Sequence, residues 1–529
     1  MAGSPIEEII GHIQAGNNFL LSGGAGSGKT YTLIESIDHI YQTNINANVA
    51  CITFTNVAAD EITERAPYNN LWVSTIHEFL WAEINSFQKN LKTVLVDLLK
   101  SEEIRLQNSS ELVLEELEPN YYHDKEITYK EFKVIDKGII SHNEVLKLAN
   151  SMFARFKLLR KMLCDKYDYI LIDEYQDTEE QVIQIFLDYM RDEMEGKLVI
   201  GLFGDSMQSI YEKGIGDLQG YIEQGLVKEI IKEDNYRCSI STIDLLNKIR
   251  VDISQKPSEN NKAGSIKFIY SNNDNVQLND IKGTEYFSGW DFADEKETKE
   301  LYLTHKLIAR QRGFIDLLSA YPNSDRLMGD YKDKLAKHLY KMEDLLYAYE
   351  KSDYNEVLKL TDLKVKSHND KVDLKKKIEN ILQLNESSID EIIKINNELG
   401  LIIIDDDLKE YFVEKEEQYK NIRGISYSQF RNLYAYEQGF SPYSTQHGVK
   451  GTEFNNVFVI LDNGNWNMYN FKSLFENQGN PKVIERTRKV FYVCCSRTKD
   501  NLIVYFNQPT NAVISQAQAW FGQANVHQV

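Results

Sequence analysis

Gly23-Gly24-Ala25-Gly26-Ser27-Gly28-Lys29-Thr30 follows the apolar run Phe19-Leu20-Leu21 and opens an apolar-periodic segment from Tyr31 to Ile40. That order reads as strand, phosphate loop, helix. The octapeptide fits G-x-x-x-x-G-K-[ST], in which glycines let backbone N–H groups turn inward around phosphates. The lysine reaches the outer phosphates and the threonine hydroxyl ligates magnesium. A polyphosphate held there also meets the positive end of the helix dipole. These eight residues are therefore the expected binding site for a nucleoside triphosphate and Mg2+, which many activities share.

Working outward, Asn48-Val49-Ala50-Cys51-Ile52-Thr53-Phe54 is β-rich and leads through Thr55-Asn56 into a helical stretch from Ala58 to Arg65. A third short strand, Leu71-Trp72-Val73-Ser74, precedes Thr75-Ile76-His77-Glu78-Phe79. Residues from about 82 to 155 read as polar and mostly helical, an insertion between core strands, and a helix from Asn143 to Leu163 returns the chain. Tyr169-Ile170-Leu171-Ile172 ends in Asp173-Glu174-Tyr175-Gln176-Asp177-Thr178, and Leu198 to Phe203 runs the same way into Gly204-Asp205. Continuous apolar strands with polar chemistry at their C-terminal ends are those of a parallel sheet covered on both faces.

The composition changes near Pro257, where a domain boundary is expected, and further strands are expected at Leu301–Thr304, Val457–Ile460 and Leu502–Tyr505. Residues 325 to 430 are charged and helix-periodic. Lys371, Lys375, Lys376 and Lys377 there are expected on solvated helix faces rather than in a DNA patch. No internal repeat or low-complexity tract is visible.

The chain has 529 residues, 42% of them hydrophobic, enough to bury several cores in about three or four domains or subdomains. Its five cysteines fall at no metal-ligand spacing, which suits a reducing compartment. The first residues show neither a basic n-region nor an apolar h-region, and no apolar run approaches the roughly 18 residues of a membrane span. A soluble, cytoplasmic protein with no membrane partner is expected. The net charge of −20 is the opposite of a nucleic-acid-coating protein, so any nucleic-acid site must be local.

Asp173 and Glu174 complement the phosphate loop, because hydrolysis needs one carboxylate to hold magnesium and another to take a proton from the attacking water. Gln208, after the next strand, is placed to sense a γ-phosphate. Arg237, in Asn235-Tyr236-Arg237, and Arg497, closing Phe491-Tyr492-Val493-Cys494-Cys495-Ser496-Arg497, have two readings left open: arginine fingers or structural ion-pair partners.

Together these segments resemble the UvrD/Rep-like branch of superfamily 1 helicases. Thr53-Phe54-Thr55-Asn56-Val57-Ala58-Ala59 is similar to that family's TFTNKAA, Asp173 to Thr178 to its DEFQDT, and Gly204 to Tyr211 to its GDxxQSIY. Asn235-Tyr236-Arg237 matches NYR, Thr445 to Phe454 resembles T-x-H-x-x-K-G-L-E-F, and Phe491 to Arg497 resembles FYVAxTR. The series spans residues 20 to 500 in the family's order.

The resemblance implies an α/β fold of two RecA-like parallel-sheet P-loop NTPase domains with mainly helical insertions. Domain 1A would take residues 1–80 and 156–255, insertion 1B residues 81–155, domain 2A residues 256–324 and 431–529, and a reduced insertion 2B residues 325–430. It also implies roles. Lys29 and Thr30 would hold ATP and Mg2+, Asp173 the metal, and Glu174 would be the base. Gln208, Arg237 and Arg497 would contact the γ-phosphate, Tyr236 would stack on the base and Glu453 would approach the ribose. Phe54, Asn56, His77, Tyr211, Thr445 and His447 would line a single-strand track.

Some positions depart from the family pattern. The nearby glutamine, Gln14, lies in a different context from the family's adenine-reading glutamine motif, which bears on adenine selectivity. Glu212-Lys213-Gly214 stands where an aromatic-arginine-glycine step is usual, Val57 replaces a lysine and Thr452 a leucine. These changes bear on processive unwinding more than on ATP hydrolysis. In size and layout the chain also resembles the compact helicase-like subunit of Gabija anti-phage systems, which works beside an OLD-family nuclease. The expected function is an ATP-dependent 3′–5′ helicase or translocase on single-stranded or partly duplex DNA, in anti-phage defence or repair. The alternative is a nucleotide- and DNA-end-sensing ATPase that regulates a partner nuclease without processive unwinding.

Overall fold

The computed structural model describes residues 3–106, 114, 117–194, 196–273, 276–329, 331–464 and 466–529. The expected insertion at 81–155 includes 107–113, 115 and 116, which lie outside the described residues. The chain divides into two units, one of residues 1–265 with 485–496 and one of residues 266–484 with 497–529.

The first unit is built on strands β1 (Phe19–Gly23), β2 (Val49–Thr53), β3 (Leu71–Thr75), β4 (Tyr169–Asp173), β5 (Val199–Gly204) and β6 (Lys228–Lys232). They pair in parallel in the order β3-β2-β4-β5-β1-β6. Successive side chains of a strand point to opposite faces, and here both faces are apolar. Leu20, Ile52, Ile170, Ile172, Ile200 and Leu202 enter one core with Phe79, Val145 and Phe186. Phe19, Leu21, Cys51, Leu171 and Phe203 enter the other with Leu33 and Ile37 of helix Lys29–Thr43. That two-sided burial explains why these strands read as unbroken apolar runs. Gly201 is a packing requirement, since a Cβ there would come within 2.5 Å of the Phe19 ring and 2.7 Å of Leu171.

Strand β6, Lys-Glu-Ile-Ile-Lys, was not expected. Its charged ends hide the pattern, and only Ile230 joins the apolar core. The single helix expected over Asn143–Leu163 is two helices, His142–Arg155 and Lys157–Lys166. They break at Phe156, whose φ of −111° and ψ of 95° are extended. Near the expected boundary at Pro257, Lys256–Pro257 pairs in parallel with Asp234–Asn235.

The second unit repeats the plan with β7 (Ser265–Ser271), β8 (Thr298–Tyr302), β9 (Tyr443–Thr445), β10 (Phe454–Ile460), β11 (Thr498–Asn507) and β12 (Val526–Gln528). Their order is β9-β8-β10-β11-β7-β12. Numbered within each unit, both sheets run third, second, fourth, fifth, first, sixth. The strand expected at Leu301–Thr304 starts three residues earlier and ends at Tyr302, and Thr304, outside the sheet, caps helix His305–Arg312 with its hydroxyl.

Between β8 and β9 lie the helices from Lys334–Glu350 to Tyr427–Glu437. Local signals delimit them: Ser388 and Glu391 form a capping box, and left-handed Gly400 ends the same helix. Lys375 pairs with Glu379 and Lys377 with Asp373, each one helical turn away, as on a solvated helix face.

Candidate active site

The phosphate loop leaves the C-terminal end of β1, the edge at which parallel sheets bind ligands. Gly26 and Gly28 have φ of +77° and +76°, a backbone region that a Cβ makes costly. A Cβ at Gly24 would run into the Gln255 amide, and one at Gly26 would meet Arg237 Cβ at 2.7 Å. Several groups hold the loop from outside. Ala25 O accepts from Asn235 Nδ2 at 2.9 Å and Gln255 Nε2 at 3.1 Å, Gly26 O accepts from Tyr236 N at 2.8 Å, and Ala25 N donates to the Tyr492 hydroxyl at 3.1 Å. Gly28 caps helix Lys29–Thr43 without a side-chain hydrogen bond, leaving the first-turn N–H groups for an anion.

Lys29 is buried, and its Nζ donates to Gly23 O at 3.1 Å and Gly24 O at 3.3 Å. Burial lowers its pKa; Glu174, Asp205 and Asp173 oppose that shift, and Arg237 adds to it. Ser27 Oγ is buried with no hydrogen-bond partner, and such an atom costs about 1–3 kcal/mol if left unsatisfied. An orphaned donor in a glycine cradle that no Cβ could share fits a polyphosphate.

Asp173 ends β4, and Thr30 Oγ1 donates to its Oδ2 at 3.5 Å. Burial, then repulsion by Glu174, pushes the Asp173 carboxyl up to about 7; Lys29, the Glu174 N–H and Thr30 pull the other way. A carboxylate so destabilised, beside a threonine hydroxyl, fits a divalent cation. Glu174 has φ 51° and ψ 45°, a left-handed conformation that costs a non-glycine residue on the order of 1 kcal/mol or more. It turns the chain sharply after the strand, and Glu174 N donates to Asp173 Oδ1 at 3.0 Å.

Gln176 links the two strand ends. Its Nε2 donates to Glu174 Oε2, and its Oε1 accepts from Asp205 N at 3.1 Å. Gln208 Nε2 donates to Asp205 Oδ2 at 3.0 Å. Asn235 orients the next segment by accepting from Arg237 N at 3.0 Å and Cys238 N at 2.9 Å through its side-chain oxygen. The Tyr236 ring is 58% exposed and comes within 3.7 Å of where a Gly28 Cβ would stand. It lines a cavity of about 610 Å3 with Gly28, Tyr31, Glu35, Lys232 and Asp234.

Thus the first unit gathers the loop, Asp173, Glu174, Gln208, Tyr236 and Arg237 around one sheet edge. On the same unit, Phe54 and Tyr211 stack at 5.6 Å with both rings exposed. Asn56 begins helix Asn56–Arg65 and is exposed. His77 packs edge-on against His142 at 4.8 Å. Burial, and second the nearby His142, lowers its pKa to about 4.

Arg497, Glu453, Thr445 and His447 belong to the second unit. Arg497 is buried there, and its Nη1 donates to Thr452 O at 3.3 Å. Glu453 is exposed, 3.8 Å from Lys499. Thr445 Oγ1 accepts from Gly448 N at 3.0 Å. His447 Nε2 lies 2.7 Å from the Tyr469 hydroxyl, and burial, then His305, takes its pKa to about 4.

The sequence reading did not nominate Gln176, Asn235, Arg250, Gln255, Tyr492 or His142. Gln176, Asn235 and Tyr492 lie inside motifs whose pattern marks other residues as the reacting ones. Arg250 and Gln255 lie in no motif, and only their burial reveals them.

A family model described as an AAA domain matches residues 7–213. The Gabija protein GajB of Bacillus cereus (strain HuB5-5) is 28% identical, with the match covering 98% of this chain and 97% of that protein. GajB of Bacillus cereus (strain VD045) is 27% identical over 38% of this chain and 39% of its own. The ATP-dependent DNA helicase PcrA of Staphylococcus epidermidis (strain ATCC 35984) is 25% identical over 44% of this chain and 37% of its own. Among solved structures, the Pif1 helicase from Candida albicans matches 98% of this chain and 99% of its own at 11% identity and a TM-score of 0.36, too loose a likeness to argue from. No helix among the described residues is long and apolar enough to cross a membrane.

Proposed function

We propose, from the premise that the chain is a UvrD/Rep-like superfamily 1 helicase, that it hydrolyses ATP to move 3′ to 5′ along single-stranded DNA. One observation carries the reading: Lys29, Thr30, Asp173, Glu174 and Gln208 converge at the C-terminal edge of one parallel sheet. Lys29 and the loop N–H groups bind the phosphates, and Thr30 with Asp173 holds magnesium. Bound magnesium neutralises phosphate charge and orients the γ-phosphoryl group. Glu174 takes the proton of the attacking water, while Gln208 and Arg237 stabilise charge on the transferred group; the sequence resemblance implies the same role for Arg497. Tyr236 stacks on the base, and the sequence resemblance implies that Glu453 approaches the ribose.

Phe54, Asn56, His77 and Tyr211 of the first unit line a strand track, where exposed rings such as stacked Phe54 and Tyr211 suit sequence-tolerant binding; the sequence resemblance implies the same role for Thr445 and His447. The test is ATP turnover with and without single-stranded DNA. Stimulation by the strand supports the reading, and indifference to every nucleic acid tested overturns it.

Similarity to the Gabija protein GajB along nearly the whole chain supports a role in a Gabija system; the sequence resemblance implies that this role is cytoplasmic anti-phage defence beside an OLD-family nuclease. Glu212-Lys213-Gly214 after Tyr211 favours a second reading, an ATPase that senses nucleotides and DNA ends and regulates that nuclease without processive unwinding. Strand separation on substrates with 3′ or 5′ overhangs discriminates the two: unwinding from a 3′ overhang supports the helicase, and ATP turnover without separation supports the regulator.

A further inference from the structure

Arg250 closes helix Ile240–Ile249 and is 1% exposed. Every N–H of its guanidinium is committed. Nε donates to Asp252 Oδ1 at 2.8 Å, and Nη2 to Asp252 Oδ2 at 2.8 Å and Asp205 Oδ1 at 3.2 Å. Nη1 donates to the Tyr492 hydroxyl at 2.8 Å and to Asp205 Oδ2 at 3.4 Å. A guanidinium has five such donors in a fixed fork, and all five are used.

The Tyr492 hydroxyl is equally saturated. It accepts from Arg250 and from Ala25 N of the phosphate loop, and donates to Asp205 Oδ2 at 3.4 Å. A hydroxyl has one donor and two acceptor sites, so nothing is spare. Asp205, in turn, accepts from the Gln208 side-chain amide at 3.0 Å. The same guanidinium lies 3.0 Å from where a Gly24 Cβ would be.

We propose that Arg250 is a positioning residue for ATP hydrolysis, which acts through Asp205 on Gln208 and through Tyr492 on the Ala25 amide of the phosphate loop. All five of its donors are spent on protein groups. Its planar fork fixes the carboxylate and the hydroxyl in one rigid unit, so Gln208 and the loop keep a single mutual geometry. The segment Glu485–Ser496 belongs to the first unit, and the Tyr492 contacts account for part of that attachment. Sites held in this way lose rate when the supporting group is removed, even though no reacting atom is touched.

The inference rests on the cradle being a hydrolytic ATP site, and the experiment separates the two. Turnover is measured for Arg250→Met, Arg250→Lys, Tyr492→Phe and the Arg250→Met/Tyr492→Phe double variant, with Lys29→Ala as control. Rates are expressed per site that binds a fluorescent, non-hydrolysable ATP analogue, so unfolded molecules do not count. Arg250→Met should lower kcat at least about tenfold with KM within about threefold, and Tyr492→Phe should lower kcat less. Arg250→Lys should recover part of the loss, and the double variant should fall no further than Arg250→Met, because the two residues act as a unit. Wild-type kcat per site in both single variants, or a double-variant loss equal to the product of the single losses, overturns the proposal. If Arg250→Met does not fold, Tyr492→Phe decides: a lowered kcat at unchanged KM supports positioning, and wild-type kcat refutes it. Turnover that survives Lys29→Ala instead overturns the hydrolytic reading itself.

Discussion

The two units share one strand order and differ in what their strand ends carry. In the first, β1 runs into the phosphate loop and β4 into Asp173-Glu174. In the second, β7 runs into Asn272-Asn273, where Asn273 N donates to Ser271 Oγ at 3.1 Å. Strand β10, which occupies the place of β4, is followed by Leu461-Asp462, and Asp462 Oδ1 accepts from Gly464 N at 2.8 Å. One aspartate thus faces a buried lysine and a threonine hydroxyl, while its topological counterpart closes a local turn. A parallel sheet supplies the address for chemistry, and the loop at that address decides whether any occurs.

The largest expected effect tests that contrast directly. Asp173→Asn and Lys29→Ala should each lower ATP turnover at least about 100-fold with the circular dichroism spectrum unchanged, whereas Asp462→Asn should keep turnover within about twofold. Loss of turnover in Asp462→Asn would break the comparison.

Core variants sharpen it next. Phe19 and Phe268 are both fully buried on the first strands of their sheets. Phe19→Ala and Phe268→Ala should each cost about 3–5 kcal/mol. Calorimetry should show each lowering the transition of its own unit, and equal shifts of both transitions would mean that the units unfold as one.

Phe54→Ala and Tyr211→Ala should each weaken binding of single-stranded DNA by about 1–3 kcal/mol, read by fluorescence anisotropy, with basal turnover unchanged. Unaltered affinity in both would remove this pair from the track.

Histidines extend the comparison to pH. His77 and His447 are both depressed to about 4, chiefly by burial, while an unfolded histidine titrates near 6.5. Below about 6.5 the unfolded chain takes up protons that these sites refuse. The second unit should keep this stability above about pH 6.5 and lose it progressively toward pH 4, whereas in the first unit the raised Asp173 carboxyl works in the opposite sense over the same window. Melting temperatures between pH 4.5 and 7.5 check this, and His447→Asn should make the second unit's dependence shallower without altering the first's. The smallest effect belongs to the lysine-bearing helix of the second unit. Lys375→Ala should change stability by less than about 0.5 kcal/mol, since exposed one-turn pairs contribute little.

Much of the candidate site was legible because its chemistry is local. The glycines, Lys29 and Thr30 adjoin one another, and Asp173 and Glu174 follow a run of four apolar residues. Expectation failed where context overrides pattern. Strand β6 has one core side chain, Ile230, between charged ends, so it shows no period. Phe156 interrupts an apolar periodicity that continues on both sides of it. Arg250 looks like any basic residue at a helix end, and its importance lies in partners 45 and 242 positions away.

Short-range constraints need no folding to be read: which residues can turn left-handed, which can hold phosphate, and which runs demand burial on both faces. From these the sequence establishes an α/β chain with a nucleotide cradle. Long-range coincidences are different in kind. That the two sheets share one order, that Tyr492 reaches the phosphate loop across 467 positions, and that Arg250 fills its fork there all depend on how distant segments pack. Packing energy is a property of pairs brought together by the fold, and no single stretch of the chain contains it.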